Sequence, residues 1–139
     1  MTSQKILATN RKILIVDDDP AIRQAYQIRL RANGYDTFFA VDAISAFTEA
    51  RKQRPDLIIL DLGLPAGDGF LVMERLKADT YMALIPVLVV SARDRLATKA
   101  RALGVGAKAY LQKPVDDRVL LTYIRKILDE PILENAAIG

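Results

Sequence analysis

Five short apolar runs alternate with segments of helical pattern, and this alternation restricts the folds that the chain can adopt. The runs predict strands at Lys12–Val16, Tyr35–Ala40, Leu57–Leu60, Pro86–Val90 and Ala109–Gln112. The first, third and fourth are apolar throughout, which is typical of strands whose two faces are both covered by helices. A regular alternation of strand and helix predicts a parallel sheet with right-handed crossovers.

The stretches between the strands carry the start and stop signals of helices. They predict helices over Pro20–Asn33, Ala43–Gln53, Asp68–Asp79, Asp94–Leu103 and Asp116–Leu128. At the first helix, Asp19 is a candidate N-cap, Pro20 takes the first helical position and Gly34 ends the pattern. We therefore expect an α/β fold, a doubly wound (βα)5 unit in which a parallel sheet forms the middle of three layers.

The residue types that the chain lacks exclude several kinds of chemistry. Its 139 residues include no His and no Cys, and the length suits one domain with a substantial core. The absence of Cys excludes disulfides, thiolate nucleophiles and Cys-ligated zinc. The absence of His excludes a Ser-His-Asp triad, a His-ligated metal and a phosphohistidine. Any metal is therefore expected to be a hard cation bound by oxygen atoms.

Apolar length and charge bear on location and partners. No apolar run approaches the ~20 residues that span a bilayer, and the first residues lack the apolar region of a signal peptide. We expect a cytoplasmic protein that does not bind membranes. The net charge is only +3, with a local excess of basic residues between Arg93 and Lys108. This excess is typical of a solvated helix face, so we expect no direct nucleic-acid binding.

Polar side chains stand where four of the predicted strands end. Asp17 and Asp18 follow the first strand, Asp61 the third, Ser91 the fourth and Lys113 the fifth. Because the carboxyl ends of parallel strands meet at one edge of the sheet, these side chains are expected to converge. Each residue alone has an ordinary reading as a cap, a turn former or a surface group. Together they predict a functional site.

The expected set of groups suits phosphoryl transfer. Three carboxylates repel one another in a site of low dielectric and need protons or a cation, for which Mg²⁺ is the natural partner. A carboxylate acts as the nucleophile and forms an acyl phosphate. A metal ion, an ammonium group and a hydroxyl then neutralise the phosphoryl oxygens.

Four segments resemble the receiver domain of bacterial two-component response regulators. They are Ile13–Pro20 (ILIVDDDP), Asp56–Gly69 (DLIILDLGLPAGDG), Val89–Asp94 (VVSARD) and Tyr110–Pro114 (YLQKP). The resemblance spans residues 11–129 and leaves residues 1–10 as an N-terminal extension and 130–139 as a C-terminal tail. It implies a flavodoxin-like sheet with strand order 2-1-3-4-5. It also implies a phosphorelay signalling role, not an enzyme, with a sensor histidine kinase or a histidine phosphotransfer protein as donor.

The resemblance assigns roles to the acidic residues. Asp61 resembles the phosphoacceptor. Asp18 resembles the direct Mg²⁺ ligand of the acidic pair, and Asp17 resembles its partner, which acts largely through a metal-bound water. Gly63 stands where the family binds the metal through a backbone carbonyl.

The remaining motif residues resemble the response machinery of the family. Ser91 resembles the switch hydroxyl, and Lys113 resembles the lysine that contacts the phosphoryl group. Tyr110 resembles the aromatic switch that turns inward when Ser91 is drawn to the phosphoryl group. The bond between Lys113 and Pro114 resembles the cis peptide of the family.

The last helix and its neighbours indicate an output surface. One helix face is expected to pack on the sheet through Leu120, Ile124, Ile127 and Leu128. Val119 and Tyr123 lie on a neighbouring face, and Leu96 takes a position on the fourth helix where polar residues are common. We expect Leu96, Val119 and Tyr123 to form part of a partner face for a homodimer or another protein.

Three other functions compete with a receiver. An Asp-nucleophile phosphatase would carry a second acid where Gly63 stands. A pseudo-receiver typically loses Asp61 or the acidic pair, which this chain keeps. A flavodoxin-like nucleotide binder needs a phosphate-cradling Gly-rich loop after the first strand, and none follows it. Whether the chain is a stand-alone regulator or part of a larger protein stays open.

Overall fold

A computed structural model describes residues 10–64, 68–92 and 95–131. The strands are β1 (Lys12–Val16), β2 (Asp36–Ala40), β3 (Leu57–Leu60), β4 (Val87–Ser91) and β5 (Ala109–Gln112). The helices are α1 (Pro20–Ala32), α2 (Ala43–Gln53), α3 (Asp68–Ala78), a 3₁₀ helix (Met82–Leu84), α4 (Arg95–Gly104) and α5 (Asp117–Ile127). Over the described ranges, no helix is both long and apolar enough to cross a membrane.

The five strands form one parallel sheet in the order β2-β1-β3-β4-β5. The central strand β3 pairs with β1 on one side and β4 on the other, and Leu57–Leu60 is buried on both faces. The continuous apolar character of this strand follows from that position. The fold class and the strand order expected from the sequence are both confirmed.

Helices cover both faces of the sheet and form two apolar clusters. On one face α2, α3 and α4 pack over the side chains represented by Leu14, Ile58 and Val89. On the other face α1 and α5 pack over those represented by Ile15 and Ile59. Alternate residues of each strand therefore enter different clusters, as the pleat requires.

The helix boundaries follow from local capping. The carboxylate of Asp19 accepts a hydrogen bond from the backbone N–H of Ala21, which makes Asp19 the N-cap of α1 as expected. The helix ends at Ala32, with Asn33 as the C-cap, one residue earlier than predicted. Gly34 follows with φ +90°, a conformation that favours glycine.

Two local features differ from the sequence prediction. The 3₁₀ helix Met82–Leu84 was not predicted, because its one turn is too short to show a periodic pattern. Helix α4 includes Gly104, whereas the turn after it uses Gly106 at φ +109°. Part of the predicted Gly63–Gly67 loop lies outside the described residues. Asp94, the predicted start of α4, also lies outside them.

The end of α5 is fixed to the opposite end of the sheet from the strand carboxyl ends. Arg11 donates a hydrogen bond to the carbonyl of Leu128 at 3.4 Å, and its Nε lies 3.8 Å from the carboxylate of Glu130. The Tyr35 hydroxyl donates to Glu130 Oε1 at 2.6 Å. Burial and this hydrogen bond raise the pKa of Tyr35 to about 12.

Candidate functional site

Backbone pairing continues beyond the strands and brings the polar residues to one edge of the sheet. The N–H of Asp17 donates to the carbonyl of Ala40 at 3.1 Å, and the N–H of Asp61 donates to that of Val16 at 2.9 Å. The N–H of Lys113 likewise donates to the carbonyl of Ser91 at 2.9 Å. The edge predicted from the strand order therefore carries these side chains.

Three carboxylates converge at this edge. One oxygen atom from each of Asp17, Asp18 and Asp61 lies within 4.8 Å of the other two. Asp17 and Asp61 are only 3% and 7% exposed, whereas Asp18 faces solvent. The cluster is therefore buried at Asp17 and Asp61 and accessible to solvent at Asp18.

Lys113 bridges the two buried carboxylates. Its Nζ lies 2.8 Å from Asp17 Oδ2 and 3.2 Å from Asp61 Oδ2. Burial by itself lowers the pKa of Lys113, but the hydrogen bonds and charges of Asp17 and Asp61 outweigh it and raise the pKa above its usual value. The ammonium group is therefore a permanent positive charge next to Asp61.

Backbone groups hold the two buried carboxylates in position. The N–H of Gly63 donates to Asp61 Oδ1 at 2.8 Å, and the N–H of Asp19 donates to Asp17 Oδ1 at 2.9 Å. A Cβ at Gly63 would lie 3.3 Å from Asp61 Oδ1. Glycine at this position thus leaves the approach to the Asp61 carboxylate open.

The donor set fits a hard divalent cation. The cluster offers three carboxylates, and the single ammonium of Lys113 leaves it with a net negative charge. Mg²⁺ binds through one or two carboxylates, carbonyl oxygens and water. The residues that could hold such an ion are Asp17, Asp18 and Asp61, with the backbone of Gly63 beside them.

The remaining motif residues lie on β4, β5 and the turn after β5. Ser91 is fully buried at the end of β4, where it is paired with Gln112 of β5 in the sheet register. Tyr110 is also buried and belongs to the apolar cluster beneath α2, α3 and α4. The peptide bond between Lys113 and Pro114 is cis.

Two residues near the site were not predicted from the sequence. The Arg23 guanidinium donates to the backbone carbonyl of Asp17 at 2.9 Å. Tyr26 is buried, and its burial raises its pKa; the charge of Lys113 opposes this rise and the charges of Asp17 and Asp61 add to it. Both come from α1, one face of which packs on the sheet, and no strand-end motif points to them.

The three residues expected on a partner face differ in exposure. Leu96 on α4 is 83% exposed and Val119 on α5 is 43% exposed. Tyr123 is half-buried and packs against the α1/α5 cluster. On the sheet-facing side of α5, Leu120, Ile124 and Leu128 are buried as predicted, whereas Ile127 is only partly buried.

A family model described as the response regulator receiver domain matches residues 13–125. The chain belongs to the response regulator receiver family. It is therefore a receiver domain of two-component signalling systems, a family in which an aspartate is phosphorylated.

Curated relatives and solved structures agree with this assignment. The chain is 44% identical over 117 residues to the DNA-binding dual master transcriptional regulator RpaA of Synechocystis, covering 84% of this chain and 48% of that protein. It is 37% identical to the alkaline phosphatase synthesis transcriptional regulatory protein PhoP of Bacillus subtilis, covering 86% of this chain and 49% of that one. The chain thus spans about half the length of these relatives.

A crystal structure of a putative response regulator from Chloroflexus aurantiacus has a TM-score of 0.82 at 29% identity. The match covers 88% of this chain and 100% of that one. A chemotaxis response regulator of Vibrio cholerae has a TM-score of 0.79 at 30% identity, covering 86% of this chain and 99% of that one. These matches support a receiver fold over most of this chain.

Proposed function

We propose that Asp61 is the phosphoacceptor of this receiver and that Asp17, Asp18, Asp61 and the carbonyl of Gly63 hold Mg²⁺. The observation that carries this proposal is the pairing of Lys113 with both Asp17 and Asp61 at the carboxyl edge of the sheet. Among the cluster carboxylates, only Asp61 both contacts Lys113 and accepts a hydrogen bond from the backbone of a glycine, Gly63, which has no side chain to cover it. Bound Mg²⁺ would supply positive charge to the carboxylates and to the phosphoryl oxygens.

The transfer step assigned to these residues is a nucleophilic displacement. An Asp61 oxygen attacks the phosphorus of a partner's phosphohistidine, the P–N bond breaks, and the histidine leaves with the bonding electron pair. The product is an acyl phosphate on Asp61. Lys113, already 3.2 Å from Asp61 Oδ2, stabilises the negative charge of the phosphoryl oxygens. Gly63, two residues after Asp61, has no side chain and so leaves room for the donor to approach.

Ser91 and Tyr110 are proposed to report the phosphorylated state. The Ser91 hydroxyl would move toward the phosphoryl group, and Tyr110 would occupy the space beside it. The burial of both Ser91 and Tyr110, on the adjacent strands β4 and β5, supports this pairing. Phosphorylation would then shift the population between two arrangements of these side chains.

Incubation with acetyl phosphate and Mg²⁺ tests the site directly. Wild type should gain one acid-stable, base-labile phosphoryl group, and Asp61→Asn should gain none, because an amide is not a nucleophile of this kind. Asp129→Asn is a matched control, since that carboxylate is exposed and lies beyond α5. Uptake by Asp61→Asn at the wild-type rate would refute the assignment.

The partner face is proposed to include Leu96, Val119 and Tyr123, and to mediate a phosphorylation-favoured homodimer. The exposure of Leu96 and Val119 supports it. Light scattering with and without beryllofluoride, on wild type and on Tyr123→Glu, tests the dimer. An unchanged monomer mass in both states of wild type would exclude it.

A further inference from the structure

A groove between α2 and α3 is lined by both aromatic and basic side chains. It encloses a cavity of about 350 Å³, lined by Phe47, Arg51, Arg75, Ala78, Asp79 and Met82. Two further apolar side chains continue the groove along the helices. Ile44 lies one turn before Phe47 on α2, and Leu71 lies one turn before Arg75 on α3. Ile44 is 78% exposed and Leu71 is also exposed. The groove therefore has an open apolar end and a basic end.

The basic end carries guanidinium groups that have no ion-pair partner among the described residues. The guanidinium of Arg75 lies 5.8 Å from the Phe47 ring centroid. Arg51 forms no ion pair within this part of the chain either. Arginines stacked on aromatic rings keep their N–H donors available for a carboxylate.

One acid lies in the groove, and the backbone already engages it. The Asp79 carboxylate accepts hydrogen bonds from the N–H groups of Tyr81 and Met82, both at 2.9 Å. The hydrogen bond from Met82 lowers the pKa of Asp79, and the charge of Arg51 contributes to the same shift. Asp79 therefore stays ionised, and Arg51 and Arg75 leave the rim with a net positive charge.

The basic end of the groove lies at the opposite edge of the sheet from the phosphoryl site. Each helix of the fold runs back along the sheet after its strand, so the ends of α2 and α3 lie at the edge opposite Asp61. The groove shares no residue with the Asp17, Asp18 and Asp61 cluster or with the face that includes Leu96 and Val119. Occupation of the groove thus does not require phosphorylation.

We propose that this groove docks an acidic amphipathic segment of another protein, which inserts one apolar side chain over Phe47 and Met82 and places carboxylates on Arg51 and Arg75. The size of the cavity suits one large side chain, and the rim supplies the complementary charge. The helical stretch from Ile44 to Arg51 is about 10 Å long, which suits two turns of a docked helix or a short extended peptide.

A peptide segment fits this surface better than nucleic acid does. The positive charge is confined to the rim of a groove whose floor is apolar, whereas nucleic-acid sites follow the phosphate backbone with a longer basic track. The exposed Ile44 and Leu71 continue the apolar floor, not the basic rim.

Selection from an unbiased library of short displayed peptides, with the full chain as target, tests the proposal. Recovered peptides should be rich in Asp and Glu beside Phe, Leu or Ile. They should bind the double variant Arg51→Glu/Arg75→Glu at least about tenfold more weakly than wild type. The control Arg118→Glu/Lys126→Glu makes the same charge change on exposed positions of α5 and should leave binding unchanged.

Amide NMR with a recovered peptide then locates the site, and a short DNA duplex is titrated in parallel. Shifts should map to Phe47, Arg51, Arg75 and Met82, and Ala78→Trp, which fills the groove and keeps its charges, should abolish them. The proposal fails if the recovered peptides are neutral or basic, if Ala78→Trp binds them as well as wild type does, or if the duplex binds here and the peptide does not. Binding should persist in Asp61→Asn, which separates this result from the test of the phosphoacceptor.

Discussion

Gly69 lies at the second position of α3, directly against the loop that carries Asp61. A Cβ at this position would lie 2.4 Å from the Cα of Leu62 and 2.9 Å from the carbonyl oxygen of Asp61. Both are backbone atoms, so no flexible side chain can move aside. The substitution Gly69→Ala therefore forces α3 and the Asp61 loop apart.

The cost can be estimated from two opposing effects. Ordinary carbon–carbon contacts are about 3.5–4.0 Å, so the new methyl group overlaps Leu62 by roughly 1 Å. Overpacking of this kind costs about 1–3 kcal/mol, and a backbone neighbour places Gly69→Ala near the upper end. Replacing glycine by alanine in a helix returns up to about 1 kcal/mol. We expect a net loss of about 2 kcal/mol in the free energy of unfolding.

Urea unfolding with a matched substitution isolates the contact. For a chain of this size the midpoint of Gly69→Ala should fall by about 1 M, with the slope unchanged. Gly104→Ala is the control, because Gly104 is also helical and a Cβ there meets no atom within 4 Å. That variant should be as stable as wild type or up to about 1 kcal/mol more stable.

The same variant should also lose function beyond its loss of stability. Displacement of Leu62 moves the backbone of Asp61, so phosphorylation by acetyl phosphate should slow at a temperature where the variant is fully folded. Equal or greater stability of Gly69→Ala would show that α3 does not approach Leu62 this closely, and the reasoning would be refuted.

Two further predictions concern buried polar contacts. The pKa of Tyr35 is about 12 in the folded chain against its ordinary value of 10.0, so about 2–3 kcal/mol of stability should be present below pH 10 and lost as the pH rises to 12. Unfolding curves of Tyr35→Phe, which cannot donate to Glu130, should lack this alkaline loss, and an identical pH dependence would contradict it. Lys113→Met leaves the Asp17 and Asp61 carboxylates without their shared cation and should cost up to about 3–5 kcal/mol without metal. Millimolar Mg²⁺ should restore part of that stability in a thermal melt, and equal stability of variant and wild type without metal would count against the role of the bridge.

The fold could be predicted from the sequence because its signals are local. The apolar runs, the Asp19 cap and Gly34 each specify their own segment, and they agree with one another along the chain. The observed helix boundaries differ from the predicted ones by a residue or two where the terminal residue of the predicted helix is a cap. Asp116, predicted as the first residue of α5, is its N-cap.

The convergence of the site residues could also be predicted, but not their pairing. Parallel strands bring Asp17, Asp61 and Lys113 to one edge whatever their rotamers. Which carboxylates the ammonium contacts depends on side-chain conformation, and the structure alone shows that Lys113 bridges two of them. Tyr26 lies outside any such rule, because a helical residue reaches the site only through the packing of α1 on the sheet.

The α2–α3 groove could not be predicted either. It forms where two helices that are separate in sequence lie side by side, and its floor includes Met82 from a turn with no periodic signal. The close approach at Gly69 is of the same kind, since nothing in the local sequence distinguishes it from Gly104.

The contacts of Arg11 with Leu128 and Glu130 have a consequence for how the domain can be joined to other chains. Arg11 precedes β1 and Glu130 follows α5, so these contacts bring the two ends of the (βα)5 unit together, on the edge of the sheet opposite Asp61. A short linker between these two positions should therefore allow circular permutation, with new ends opened in an exposed loop. For the same reason, segments fused before Arg11 and after Glu130 would leave the domain side by side and would not obstruct a phosphodonor at the far edge.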